Sequence, residues 1–197
     1  MKRTLITTFT IMAIVFASPA LASPAPQTRT KLEPKSSRRI SESRDLAYLT
    51  KEIRKELVTM PYFGVFDWLE GNVQPDGSVS LAGQVTRPTL KKDAQRRVEK
   101  VEGVSKVVNR IEVLPLSPYD DRIRRAAFQA LYNANSPLFR YGQQPIPPIH
   151  IIVRNGRLTL KGVVANKSES DIANIKARGI SGVFDVRNEL RVERSGE

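Results

Sequence analysis

The sequence predicts an α+β fold made of two tandem αββαβ units, each a three-stranded mixed sheet with two helices on one face. Three observations carry this. Sliding the chain along itself by 79 residues aligns 77–113 with 156–192 without a gap, and ten of the 37 pairs are identical, where composition predicts about two or three. Within each copy the apolar period switches from two to the helical spacing and back. A turn dipeptide stands at the same place in both, Asp76-Gly77 and Asn155-Gly156.

The elements follow in order. Leu46, Leu49, Ile53 and Leu57 form a helical stripe, and Val65 to Val73, carrying Trp68, is the strand after it. The Asp76-Gly77 turn, whose residues accept positive φ, leads into a strand in which Val79, Leu81 and Val85 alternate with polar neighbours. Gly83 falls on its buried face, where a missing side chain admits a helix backbone. Pro88 opens a second helix running to Val101, and Gly103 is its left-handed cap. Val107, Asn109, Ile111 and Val113 close the unit as a strand.

The second unit repeats this. Tyr119 to Asn133 is a helix, and Ile149 to Val153 is a strand behind the Pro145, Pro147, Pro148 loop. Leu158, Leu160, Gly162 and Val164 mark the next strand, and Lys167 to Ile180 is a helix ended by Gly182. Val186, Asn188, Leu190 and Val192 close the sheet. The strand–helix–strand portions should cross over right-handed, which puts both helices of a unit on one face.

Ahead of the repeats stands an address. Met1-Lys2-Arg3 is basic, Leu5 to Ala17 is mostly apolar, and Ser18-Pro19-Ala20-Leu21-Ala22 ends in a small-x-small site. This three-part pattern predicts a secretory signal peptide over 1–22, cleaved after Ala22. The apolar run falls short of the ~20 residues of a spanning helix, and no later segment approaches that length. The expected product is exported to the periplasm or secreted, without a transmembrane helix. Residues 23–44, with three prolines and many Ser and Thr, read as a flexible basic linker. The units then span 45–114 and 115–194.

Of 197 residues, 32 are Lys or Arg and 20 Asp or Glu, a formal charge of +12 that falls to +10 without Lys2 and Arg3. The excess sits on the linker and the C-terminal half, which points to an anionic partner. Zero cysteines exclude disulfides, thiolate metal sites, thiol catalysis and acyl-cysteine anchors. A single histidine, His150, leaves little scope for metal binding or a triad. Asp120-Asp121 suits the dipole of a helix start. No phosphate loop occurs, and no enzyme or cofactor is expected.

These residues resemble the BON domain family. The resemblance rests on V-x-L-x-G-x-V at Val79–Val85, its counterpart at Leu158–Val164, and G-V-x-x-V-x-N-x-I/L-x-V at Gly103–Val113 and Gly182–Val192. It covers about residues 45 to 194. It implies a tandem-domain envelope protein, often periplasmic and stress-linked, without catalytic activity, for which phospholipid binding is the usual proposal. The absent cysteine departs from lipoprotein members and leaves reversible surface contact.

Candidate contacts follow from charge and aromaticity. Arg122, Arg124 and Arg125 cluster in one helix, with Arg140 and the rings of Phe139 and Tyr141 nearby in sequence. Basic residues beside exposed rings suit anionic head groups, each charge being worth ~1 kcal/mol near the surface. Lys91, Lys92, Arg96, Arg97 and Lys100 are interleaved with acids and read as a solvated face. Asn109 and Asn188 are either ligand contacts or amides satisfying nearby backbone, and the second reading is favoured because a buried unpaired amide costs about 1–3 kcal/mol. The expected partner is anionic phospholipid, with envelope proteins met by a chaperone-like or scaffolding module as the alternative. Nucleic acid is disfavoured by export and by the lack of an aromatic-studded sheet.

Overall fold

The computed structural model describes residues 35–193, with side chains from Arg44 onward. In the first unit helix α1 (Lys35–Val58) precedes the antiparallel pair β1 (Trp68–Val73) and β2 (Ser78–Val85). Helix α2 (Pro88–Val98) follows, and β3 (Lys106–Asn109) and β4 (Glu112–Val113) both pair parallel to β2. The closing strand expected as one piece is thus two, and this sheet has four strands instead of three. Its ladder persists across the break, because the Arg110 N–H donates to the Leu81 carbonyl at 2.8 Å.

The second unit has α3 (Pro118–Tyr132), a short α4 (Phe139–Gly142) that the periodicity did not announce, and β5 (Ile149–Arg154) antiparallel to β6 (Arg157–Val164). Helix α5 (Lys167–Arg178) leads to β7 (Asp185–Val192), unbroken and parallel to β6. The duplication survives in register: Leu81 lies opposite Asn109 as Leu160 lies opposite Asn188.

Each unit has its own core. Leu49, Ile53 and Leu57 of α1 meet Leu90, Ala94 and Val98 of α2 over Val79, Leu81 and Val85. In the second unit Ile123, Ala127 and Leu131 of α3 meet Ala173 and Ala177 of α5 over Leu158, Leu160 and Val164. The helical stripes and alternating strands predict these assignments, since burial of such a side chain is worth about 1.5–3 kcal/mol.

Several expectations are corrected. Helix α1 begins at Lys35, inside the segment read as a linker over 23–44; residues 23–34 and the address at 1–22 lie outside the described residues. Gly83 and Gly162 have φ of +129° and +123°, and a Cβ there would collide with the carbonyls of Trp68 and Pro148. A neighbouring strand, not a helix, makes the close approach. Gly103 and Gly182 do adopt positive φ, but in the loops after the helices, which already end at Val98 and Arg178. The two hairpins also differ. Asn155 and Gly156 both have positive φ, as a two-residue turn of the mirror-image type needs, whereas in the first hairpin Gly77 alone does and the loop is longer.

Strand β1 starts at Trp68, three residues later than expected, because the segment before it serves the other unit. The Val65 carbonyl accepts the N–H of Ile151 at 2.8 Å, on the free edge of β5. Val65 and Phe66 pack on the second core, with Phe66 edge-on to Phe128 at 6.4 Å. Phe63 and Trp68 lie 5.7 and 5.1 Å from the His150 ring, and Lys161 lies over Trp68 and pairs with Glu70 at 3.8 Å. Arg154 and Glu112 add an exposed pair at 2.9 Å. Buried Asp67 ties the crossing segment down, accepting from Gly64 N–H at 3.1 Å, Thr86 N–H at 2.6 Å and the Thr86 hydroxyl at 2.9 Å.

Candidate functional site

Helix α3 starts where Ser117 caps it: the Ser117 hydroxyl accepts the Asp120 N–H at 3.2 Å, and Pro118 occupies the first turn. Its inner face carries Ile123, Ala127 and Leu131, and that face takes two polar residues with it. Asp120 is fully buried and accepts the N–H groups of Asn155 and Gly156 at 2.9 and 2.8 Å. Arg124, 4 % exposed, donates to the Val153 carbonyl at 2.7 Å and pairs with Asp121. Arg122 and Arg125 stay in solvent.

The six expected contact residues therefore do not form one patch. Arg124 is spent on the backbone of β5. Tyr141 is buried, its hydroxyl donating to Glu169 at 2.7 Å and accepting the Ala165 N–H at 3.0 Å. Arg140 pairs with the same Glu169 and lies over the Tyr141 ring at 4.9 Å. Phe139 is half exposed. It sits at the Tyr132 end of α3, where Gly142 abuts Tyr132; Arg122 is ten residues up the helix, about 15 Å away at 1.5 Å per residue.

A different grouping appears at the start of α3. Arg122 lies over the Tyr119 ring at 5.6 Å, and Tyr119 stacks on Phe184 with centroids 6.0 Å apart and planes 24° from parallel. The Tyr119 hydroxyl donates to the Gly182 carbonyl at 2.6 Å, and Phe184 N–H bonds the Gly156 carbonyl at 2.9 Å, so both rings are held by backbone. Phe184 is nevertheless 75 % exposed, and Leu116, just before the Ser117 cap, is 95 % exposed. Comparing the two copies could have found Phe184, since the aligned residue in the first unit is Ser105. A large ring replacing a small hydroxyl on a loop is a departure that the core does not explain.

The repeated asparagines are structural. Asn109 donates to the Lys91 carbonyl at 2.9 Å and accepts the Ile111 N–H at 3.1 Å. Asn188 does the same with the Ser170 carbonyl at 3.0 Å and the Leu190 N–H at 3.2 Å. Each amide pins a helix to the closing strand.

Architecture and surface together define a duplicated, non-covalently docked α+β module. The sequence matches the family described as BON domain over residues 45–115 and again over 120–194, and the chain belongs to that family. Among solved structures it is similar to the C-terminal domain of CdsD, the structural protein of the type III secretion system of Chlamydia trachomatis. That match has 12 % identity over 73 % of this chain and 96 % of that one, with a TM-score of 0.29. A second structure of CdsD from the same organism matches with 14 % identity over 76 % and 95 % of the two chains, with a TM-score of 0.26. No curated protein matches the chain. Among the described residues, no helix is long and apolar enough to cross a membrane.

Proposed function

We propose that this is a non-enzymatic, exported envelope protein whose second BON unit makes reversible contact with anionic phospholipid surfaces in envelope maintenance or stress. The observation that carries the reading is the Arg122–Tyr119–Phe184 stack with its exposed ring. An apolar side chain held out on a backbone-anchored loop suits the interfacial zone of a bilayer, and the adjacent guanidinium suits an anionic head group. Arg125 on the same helix adds charge; Arg124, Arg140 and Tyr141 do not take part. The basic, apolar and small-residue pattern of 1–22 supports export, and a chain without cysteine tolerates an oxidising compartment.

Sedimentation with vesicles of phosphatidylglycerol in phosphatidylcholine tests the reading. Binding is expected at low salt, weaker at high salt, and absent from pure phosphatidylcholine. Phe184→Ser and Arg122→Glu should each reduce it without unfolding the protein. Failure of the unaltered protein to bind the anionic vesicles at low salt overturns the lipid reading; unchanged binding by both variants moves the site elsewhere.

One observation favours a second reading as a protein-interaction module. Among the described residues, strand β7 is eight residues long and pairs only with β6, which leaves its outer edge open to a strand from another polypeptide. That reading expects salt-tolerant crosslinking to envelope proteins with no lipid preference.

A further inference from the structure

We propose that His150 is an acid-sensitive latch between the two BON units, and that protonating its imidazole releases the first unit from the second. The side chain stands on the face of β5 opposite the core, yet it is only 7 % exposed, because Phe63 and Trp68 of the first unit cover it. Among the described residues, its Nδ1 finds no hydrogen-bond partner although it is buried. The latch is small. Among the described residues, apart from the rings around His150, it comprises the Val65–Ile151 backbone bond, the packing of Val65 and Phe66 on the second core with the Phe66–Phe128 edge contact, and two ion pairs across the joint with at least half-exposed carboxylates. Tyr62, in the segment leading to Phe63, has φ of +67°, a conformation unfavourable for a bulky residue.

Among the described residues, the carboxylates around His150 are already engaged. On the crossing segment, Asp67 is occupied by three donors from Gly64 and Thr86. On β1, Glu70 accepts the Trp68 indole N–H at 2.6 Å and faces Lys161. On β6, Lys161 lies directly opposite His150 in register and repels an imidazolium; on β7, Glu189 is paired with that lysine at 3.0 Å. Burial pushes the imidazole below its ordinary value of 6.5, and the backbone of Asp67 and Gly64 with the charge of Asp67 only partly opposes this. The docked state therefore prefers neutral His150, and the undocked state titrates normally. Docking is intact above about pH 6.5 and weakens as the pH falls below it. A depression of one pH unit corresponds to about a tenfold loss in the docking equilibrium.

His150 is the chain's single histidine and Trp68 its single tryptophan, so each reports on the latch without substitution. In the purified protein, proton NMR of the His150 ring gives its titration midpoint, acrylamide quenching gives the accessibility of Trp68, and small-angle scattering gives the overall size. The expected result is a midpoint below 6.5, with Trp68 quenching rising severalfold and the radius increasing over the same range, while far-UV circular dichroism holds. In His150→Phe and His150→Gln, Trp68 should stay shielded down to about pH 4.5. A midpoint at or above 6.5, constant Trp68 accessibility while His150 titrates, or the same acid response in either folded variant overturns the proposal. Loss of helix content in step with the Trp68 change does so too, because it marks global unfolding.

Discussion

The carboxylate of Asp120 accepts the backbone N–H of Gly156 at 2.8 Å, joining the first turn of α3 to the β5–β6 hairpin across 36 residues of chain. The neighbouring Asn155 N–H is held by the other oxygen. Asp120→Ala leaves two amides without acceptors and is expected to destabilise the protein by about 2–4 kcal/mol. Asp120→Asn, which keeps one acceptor, should cost less. Urea unfolding followed by circular dichroism checks the order.

The two asparagines make matched predictions. Asn109→Ala and Asn188→Ala each remove a bond to a carbonyl in the first turn of a helix and leave the Ile111 or Leu190 N–H without its side-chain acceptor, so each should cost about 1–2 kcal/mol. The double variant should lose close to the sum, because the two sites lie in different cores. Anion or lipid binding should be unchanged, which separates the structural role from a ligand role.

At Gly162 an added methyl meets the Pro148 carbonyl, and φ is +123°. Gly162→Ala is expected to cost about 3 kcal/mol or more, through strain and a forced parting of β5 from β6. Gly83→Ala should behave alike in the first unit. By contrast, Gly64→Ala meets nothing within 4 Å and should lie within about 0.5 kcal/mol. Thermal unfolding of the three variants side by side gives the comparison.

Arg122 and Arg124, two residues apart, should give opposite results. Arg124→Ala abandons the buried Val153 carbonyl and is expected to lower stability by about 2 kcal/mol with vesicle affinity intact. Arg122→Ala should leave the urea midpoint in place and weaken binding to phosphatidylglycerol vesicles. Equal effects of both on binding would tell against the geometry.

Tyr132 donates to the Ile149 carbonyl at 2.7 Å and is buried, and that burial raises its pKa well above the ordinary 10.0, with the charge of Tyr141 adding to the rise. The folded state thus favours the protonated phenol. Its contribution is complete below pH 10 and is lost as the pH climbs above that value, where the unfolded chain ionises first. Urea midpoints measured from about pH 8 to 11 should fall at the alkaline end, and Tyr132→Phe should flatten that fall while costing about 1 kcal/mol at neutral pH.

Much of the fold was legible because its demands are local. Leu81 and Leu160 are buried because alternation puts them on one face, and Asn155-Gly156 turns because those two residues tolerate positive φ. The site was less legible. Arg122, Arg124 and Arg125 look alike in the chain, yet a step of two residues along a helix swings a side chain by about 200°. Arg124 therefore enters the core while its neighbours remain outside. Tyr141 was read as a surface ring, but Glu169, 28 residues later, claims its hydroxyl.

Local pattern alone was enough for the doubled unit, its hairpins, its helical stripes and the roles of Asn109 and Asn188, since each depends on residues that fold within one copy. The docking of the copies depended on three-dimensional packing. Five successive buried residues from Ile149 to Val153 hint that something covers the second face of β5. Nothing in their spacing says that Phe63, Val65 and Trp68 are the cover. A strand's open edge and a carbonyl that fits it carry no mark of each other in the chain, and they meet only when two finished cores bring their surfaces together.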